Sequence, residues 1–260
     1  MSLPRTDPRL AEAVAAAAGP VLADVGCGDG RHTVRWAERR PDALVIGLDA
    51  ETTRLDRSLV TVRRRKLDVL FVAAAAERPP EPLLGRVAEI AVVMPWGSLL
   101  DGILGADQVV LRSVLALGAA GSVLNAVVNV RPWDAPASVD RKLAATPEPT
   151  PEHLEALVAA YGELGWELEP VSWLSDQEAR ALGSTWASRV VSARASRLLR
   201  LRARGPAAPT PPLADPAFGA APVADAAAGP DLPGPGPAGQ RRSAGGQGSG
   251  AAEVERGRVP

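Results

Sequence analysis

A chain of 260 residues suffices for one full α/β domain and an appendage, and 46% hydrophobic with 23% charged residues is a globular balance. The net charge of −1 singles out no partner, while a lone cysteine, Cys27, excludes an internal disulfide framework and a cysteine-rich metal site. No stretch reaches the roughly 18 uninterrupted apolar residues of a membrane span, and the polar N-terminus lacks a signal-peptide apolar core. A cytoplasmic, monomeric protein without membrane contact or a bound metal is the expectation.

Residues 7–18 predict a helix, with Asp7 as N-cap and Gly19 just past its end. The run PVLADVGCGDG then takes an apolar strand into a glycine-rich turn, and 30–40 predicts the helix that the turn opens. Residues 43–49 (ALVIGLD) predict a second strand, 51–66 a basic helix, 68–75 a third strand and 87–95 a fourth. A helix over 107–118 and a fifth strand over 121–130 follow. After a proline-rich linker over 131–150, the pattern resumes with helix 151–164, strand 166–173, helix 175–194 and strand 197–203. Seven apolar strands alternating with helices argue for a mostly parallel sheet covered on both faces.

From Gly205 onward Ala, Gly and Pro dominate and Phe218 is the single aromatic. Such a segment cannot bury enough apolar surface to offset its ordering entropy. The expected division is a folded domain over 1–204 and a disordered tail over 205–260.

The turn carries the first candidate chemistry. Glycines at Gly26 and Gly28 let the backbone approach a ligand, and the following helix turns its N-terminus toward it. Asp49 ends the next strand about 20 residues on, where a carboxylate can accept hydrogen bonds from ribose hydroxyls. Nicotinamide-dinucleotide folds share this logic, but here Asp29 stands inside the turn. It would repel a pyrophosphate and suits the ammonium of a methionine moiety, so the expected cofactor is S-adenosylmethionine. Ala76 and Glu77, at the end of the third strand, are placed to line an adenine pocket. Cys27 is read as a small packing residue, and His32 and His153 as surface residues.

The fourth strand runs into Met94-Pro95-Trp96-Gly97-Ser98. Amino-directed DNA methyltransferases carry N/D/S-P-P-Y/F there; this chain lacks the polar first residue and the second proline but keeps the aromatic. On a helix, Trp186 and Arg189 would share a face one turn apart. Trp96 and Trp186 could then sandwich a flipped base, worth roughly 1–3 kcal/mol per base stacked. Arg63, Arg64, Arg65 and Lys66 are consecutive, and six arginines with no acid fall between Arg189 and Arg204. Such clusters suit phosphates.

DVGCGDG, GLDA, FVAAAAE, MPWGSLL and STWASR, in this order and spacing, resemble the aminoglycoside-resistance 16S rRNA methyltransferases that modify N1 of adenosine 1408 (the kanamycin/apramycin resistance type). The resemblance spans about residues 8–204. It implies a class I, Rossmann-like S-adenosylmethionine methyltransferase of seven strands acting on 16S rRNA in the 30S subunit. Trp96 and Trp186 would be the base-stacking pair, with the Pro95 carbonyl orienting the exocyclic amine. Ser184 would sit by the methionine end of the cofactor, beside Asp29, with Asp49 on the ribose. Arg189 and Arg194 would contact RNA near the flipped nucleotide, and Arg63, Arg64, Arg65 and Lys66 would dock on rRNA. Two alternatives stand beside it: a class I methyltransferase acting on another RNA site or a small molecule, and a non-catalytic RNA-binding protein that keeps the fold.

Overall fold

The structure is a computed structural model that describes residues 8–129, 150–184 and 198–209. Its elements in chain order are α1 (Pro8–Ala16), β1 (Val21–Val25), α2 (Arg31–Arg39), β2 (Leu44–Asp49), α3 (Asp56–Arg65), β3 (Val69–Ala73), a 3₁₀ turn (Glu81–Leu83), β4 (Val87–Val93), α4 (Ser98–Ile103), α5 (Gln108–Leu115) and β5 (Gly118–Asn129). Then come α6 (Pro151–Glu163), β6 (Glu167–Leu168), β7 (Ser172–Trp173), α7 (Asp176–Ala181) and β8 (Leu198–Arg204).

The strands form one sheet in the order β3-β2-β1-β4-β5-β8-β6, with β7 also paired to β8. The first five run parallel and β8 is antiparallel to β5. Alternate residues of each strand face opposite layers. Val21, Ala23 and Val25 of β1, Leu44 and Ile46 of β2, and Leu124 and Ala126 of β5 join α1, α4, α5 and α6 in one apolar layer. Leu22, Val45 and Ala91 point the other way, where Trp36 and Ala37 of α2 cover them. Every residue of β1 is buried, as a strand covered on both faces requires.

Several boundaries differ from the sequence expectation for local reasons. The segment expected as one strand over 166–173 runs as β6 and β7, because Pro170 between them has no N–H for the ladder. The sheet of the described residues therefore has eight strands. The helix expected over 175–194 ends at Ala181, and Gly183 follows at φ +72. The helix expected from Glu51 starts at Asp56, and β4 stops at Val93 because Met94 takes φ +60. Helix α4 was not anticipated. Nor does the packed chain stop at Arg204: the Gly205 N–H donates to the Ser122 carbonyl at 2.7 Å, and the Pro206 carbonyl accepts from Gly121 at 2.8 Å.

Sequential strands leave β1 on one side through β2 and β3, and on the other through β4 and β5. The order reverses between β1 and β4, and the crevice outside the carboxyl ends of such strands is where open α/β sheets bind ligands. Among the described residues no helix is long and apolar enough to cross a membrane.

Candidate active site

A pocket of about 370 Å³ opens at that reversal. It gathers Gly26, Gly28 and Asp29 from the turn after β1, Asp49 from the end of β2, Ala76 and Glu77 after β3, Pro95 and Trp96 after β4, and Ser184 after α7. Every described residue that the sequence put forward for cofactor or base thus lines one cavity. Trp186, Arg189 and Arg194 lie outside the described residues.

The turn is tied to the neighbouring strand. The Gly26 and Cys27 N–H groups both donate to the Leu48 carbonyl, at 2.8 and 3.0 Å. The Gly28 N–H donates to Asp49 Oδ2 at 2.7 Å, and the Glu51 N–H to Oδ1 at 2.8 Å. Gly28 has φ +57, and a Cβ built there meets nothing within 4 Å. Any side chain at Gly28 would therefore be strained and would occupy space that the turn leaves open. Gly26 is constrained from behind instead, since its Cβ would stand 2.7 Å from Leu99 Cδ2.

The wall after β3 is fixed from two sides. Ser98 Oγ donates to a Glu77 carboxylate oxygen, and Ser113 Oγ donates to the Glu77 carbonyl at 3.2 Å. The Ser98 contact joins the loop after β3 to the MPWGS loop after β4. In that loop Met94 and Pro95 are buried, while Trp96 is 49% exposed. Trp96 stands at the pocket's rim and is not a core residue.

Sequence reasoning missed the floor. Asp24, at 1% exposure, accepts from Thr33 Oγ1 at 2.6 Å, and His32 Nδ1 lies 3.2 Å from its Oδ2. His32 was expected on the surface; it is buried, lines the pocket and packs on Trp36 with ring centroids 5.7 Å apart. The signal lay in ADVG, an acid two residues before the first glycine, followed by a histidine and a threonine at the start of α2. His153 is half-buried rather than exposed. Burial, then the carboxylates of Asp24 and Asp49, push the Cys27 thiol well above its usual range, so it stays protonated. Among the described residues no cluster of His, Cys, Asp or Glu is placed to hold a metal ion.

The basic run divides. Arg64 and Arg65 face a second groove beside the pocket, whereas Arg63 and Lys66 are exposed elsewhere at the end of α3. Arg65 pairs with Glu38 of α2.

An open glycine cradle, a strand-end carboxylate beside it and alanines opposite fit the ribose, purine and cationic methionine portion of S-adenosylmethionine. With a parallel sheet closed by an antiparallel strand, these features define a class I methyltransferase. Comparisons with known proteins narrow the class. A family model described as NpmA, 16S rRNA (adenine(1408)-N(1))-methyltransferase, matches residues 3–204, and the chain belongs to that family. A relative of that description from Streptoalloteichus hindustanus is 37% identical over 180 residues, covering 67% of this chain and 81% of its own; a second from Streptoalloteichus tenebrarius is 36% identical over the same shares. The crystal structure of the 16S rRNA methyltransferase KamB superposes with a TM-score of 0.68 at 32% identity, covering 78% of this chain and 95% of that one. A Catenulisporales acidiphilia 16S rRNA (adenine(1408)-N(1))-methyltransferase, solved as a tryptophan-to-alanine mutant with the cosubstrate SAM, gives 0.67 at 29% identity, covering 79% and 94%.

Proposed function

We propose that this protein methylates N1 of adenosine 1408 in the 16S rRNA of the 30S subunit and thereby confers aminoglycoside resistance. The observation that carries the reading is the half-exposed Trp96 at the rim of a pocket bordered by the glycine turn and Asp49, in a chain of this family. S-adenosylmethionine supplies an electrophilic methyl on a sulfonium. Asp49 keeps lone pairs for the ribose hydroxyls beyond the two amides it already accepts, Asp29 and Ser184 border the methionine end, and Ala76 with Glu77 borders the adenine.

Neutral adenine carries a lone pair and no proton at N1, so the residues need supply no general base. Their task is orientation. Trp96 offers one aromatic face, and Trp186, two residues beyond Ser184 in sequence, would offer the second. The two rings hold the flipped base and stabilise the positive charge it acquires. The Pro95 carbonyl accepts from the exocyclic amine and sets the direction of N1. Arg63, Arg64, Arg65, Lys66, Arg189 and Arg194 supply phosphate contacts, which give affinity rather than base choice.

Reverse transcription of 16S rRNA from a sensitive bacterium expressing the protein tests this, because methylation at N1 blocks Watson–Crick pairing. A new stop at adenosine 1408 with raised resistance to kanamycin and apramycin is expected. Soluble protein, no stop and unchanged drug sensitivity would overturn the substrate assignment. Calorimetry with S-adenosylmethionine separates a methyltransferase of another target, which binds it, from a silent RNA-binding protein, which does not.

A further inference from the structure

A second groove, of about 480 Å³, adjoins the cofactor pocket and shares Ser184 with it. Its two long walls are helix faces. Arg31, Val34, Arg35 and Glu38 follow the i, i+3, i+4, i+7 spacing on α2, and Arg57, Thr61, Arg64 and Arg65 the i, i+4, i+7, i+8 spacing of one face on α3. Arg180 and Gly183 close the end nearest Ser184. Six arginines thus line one groove, and among the described residues Glu38 is the single acid lining it.

The arrangement is held in place. A Cβ on Gly183 would stand 2.3 Å from Arg35 Cδ, so the Arg35 stem lies directly on this glycine, whose φ of +72 independently disfavours a side chain. Arg39 Nη1 donates to the Ala181 carbonyl at 3.3 Å, fixing the end of α7 to α2. All six guanidinium-bearing residues are exposed. Arg31 pairs with Asp29 at 3.6 Å and Arg65 with Glu38, so the groove keeps an excess of positive charge, and guanidinium forks match phosphate oxygens.

We propose that this groove binds consecutive phosphates of the substrate RNA strand and leads that strand from the basic end of α3 to the methyl-transfer pocket. Arg35, Arg57 and Arg180 then act as phosphate ligands, in addition to the 63–66 run. The Arg35 stem on Gly183, next to Ser184, places the end of the groove at the edge of the cofactor pocket. This rests on RNA being the substrate.

Binding of a 16S rRNA fragment carrying the target adenosine, titrated at several salt concentrations, tests it with the full chain and two variants, R57Q/R180Q and R35Q/R57Q/R180Q. Each lost phosphate contact should lower the slope of log affinity against log salt by about 0.7–0.9. The triple variant should lose roughly 2–3 units of slope and bind about a hundredfold more weakly near 0.1 M salt. Its affinity for S-adenosylmethionine should stay within about twofold, since none of the three side chains lines that pocket. The double variant keeps the Arg35–Gly183 packing, so a loss of slope there cannot come from losing that contact. Unchanged slopes in both variants, or no RNA binding by the unaltered protein, would overturn the groove. Slope loss by the variants together with no methylation by the unaltered protein would retain the groove and overturn the adenosine 1408 assignment.

Discussion

Asp49 holds the Gly28 and Glu51 amides at 2.7 and 2.8 Å and still faces the pocket. Asp49→Ala would remove the proposed ribose acceptor and also loosen the turn. Cofactor affinity should fall by roughly 1–3 kcal/mol, measured by calorimetry; an unchanged affinity would refute the role. Trp96 calls for a different signature, because truncating a core tryptophan costs roughly 3–5 kcal/mol of stability, whereas this ring is half-exposed. Trp96→Ala should leave the melting temperature and cofactor affinity close to those of the unaltered protein. Its methylation rate should fall by about 1–3 kcal/mol of transition-state stabilisation, the value of one stacking face. Trp96→Phe should be milder, since it retains a ring. Parallel loss of stability, cofactor affinity and rate would instead mark Trp96 as a packing residue.

Helix α7 spans only Asp176–Ala181, so its ends matter more than its length. Ser175 Oγ accepts from the Glu178 N–H at 3.3 Å, while the Glu178 carboxylate accepts from the Ser175 N–H at 2.8 Å, a reciprocal cap. The Ser175 backbone and hydroxyl, then Arg200, hold the Glu178 carboxyl down to about 2. A depressed carboxylate stabilises the fold above its ordinary value of 4.5, and that contribution disappears as the pH falls through about 2. Ser175→Ala should lower stability by about 1 kcal/mol. The difference in melting temperature between this variant and the unaltered protein should narrow on acidification through that window; a gap independent of pH would show that the carboxylate plays no part. The strands β1, β2, β4 and β5 were legible in sequence because burial on both faces leaves continuous apolar runs, and the turn because its glycines and acids have few other uses. The break at Pro170, the stop at Gly183 and the short helix α4 were not, since each is a contest between local pattern and sheet packing. The arginine groove was equally hidden: its residues come from three helices, and only their packing brings them together.

The sheet brings five loops to one end, and the site consists of those loops; the glycine turn, the Glu77 wall and the Trp96 loop meet because β1 and β4 are neighbours, although 67 positions separate the paired Asp24 and Ala91 along the chain, as strands of a parallel sheet require long crossovers. Strand β8 has the opposite task. It lies antiparallel between β5 on one side and β6 and β7 on the other, so the far side of the sheet depends on it. Its end is secured past Arg204, by Gly205 on Ser122 and Pro206 on Gly121. A boundary drawn from composition at 204/205 therefore cuts through packed chain, and two truncations should behave differently. Removal of 210–260 takes away a segment whose Ala/Gly/Pro composition has little apolar area to bury, and should leave melting temperature and methylation rate nearly unchanged. Removal from Gly205 also deletes two backbone hydrogen bonds, each worth about 0.5–1.5 kcal/mol net, and should lower stability by about 1–3 kcal/mol. Thermal denaturation of both truncated proteins beside the full chain distinguishes the cases. Equal melting temperatures for the two would show that residues 205–209 add nothing to the hold on β8, and a large loss of methylation on removing 210–260 alone would assign that segment a part in substrate binding.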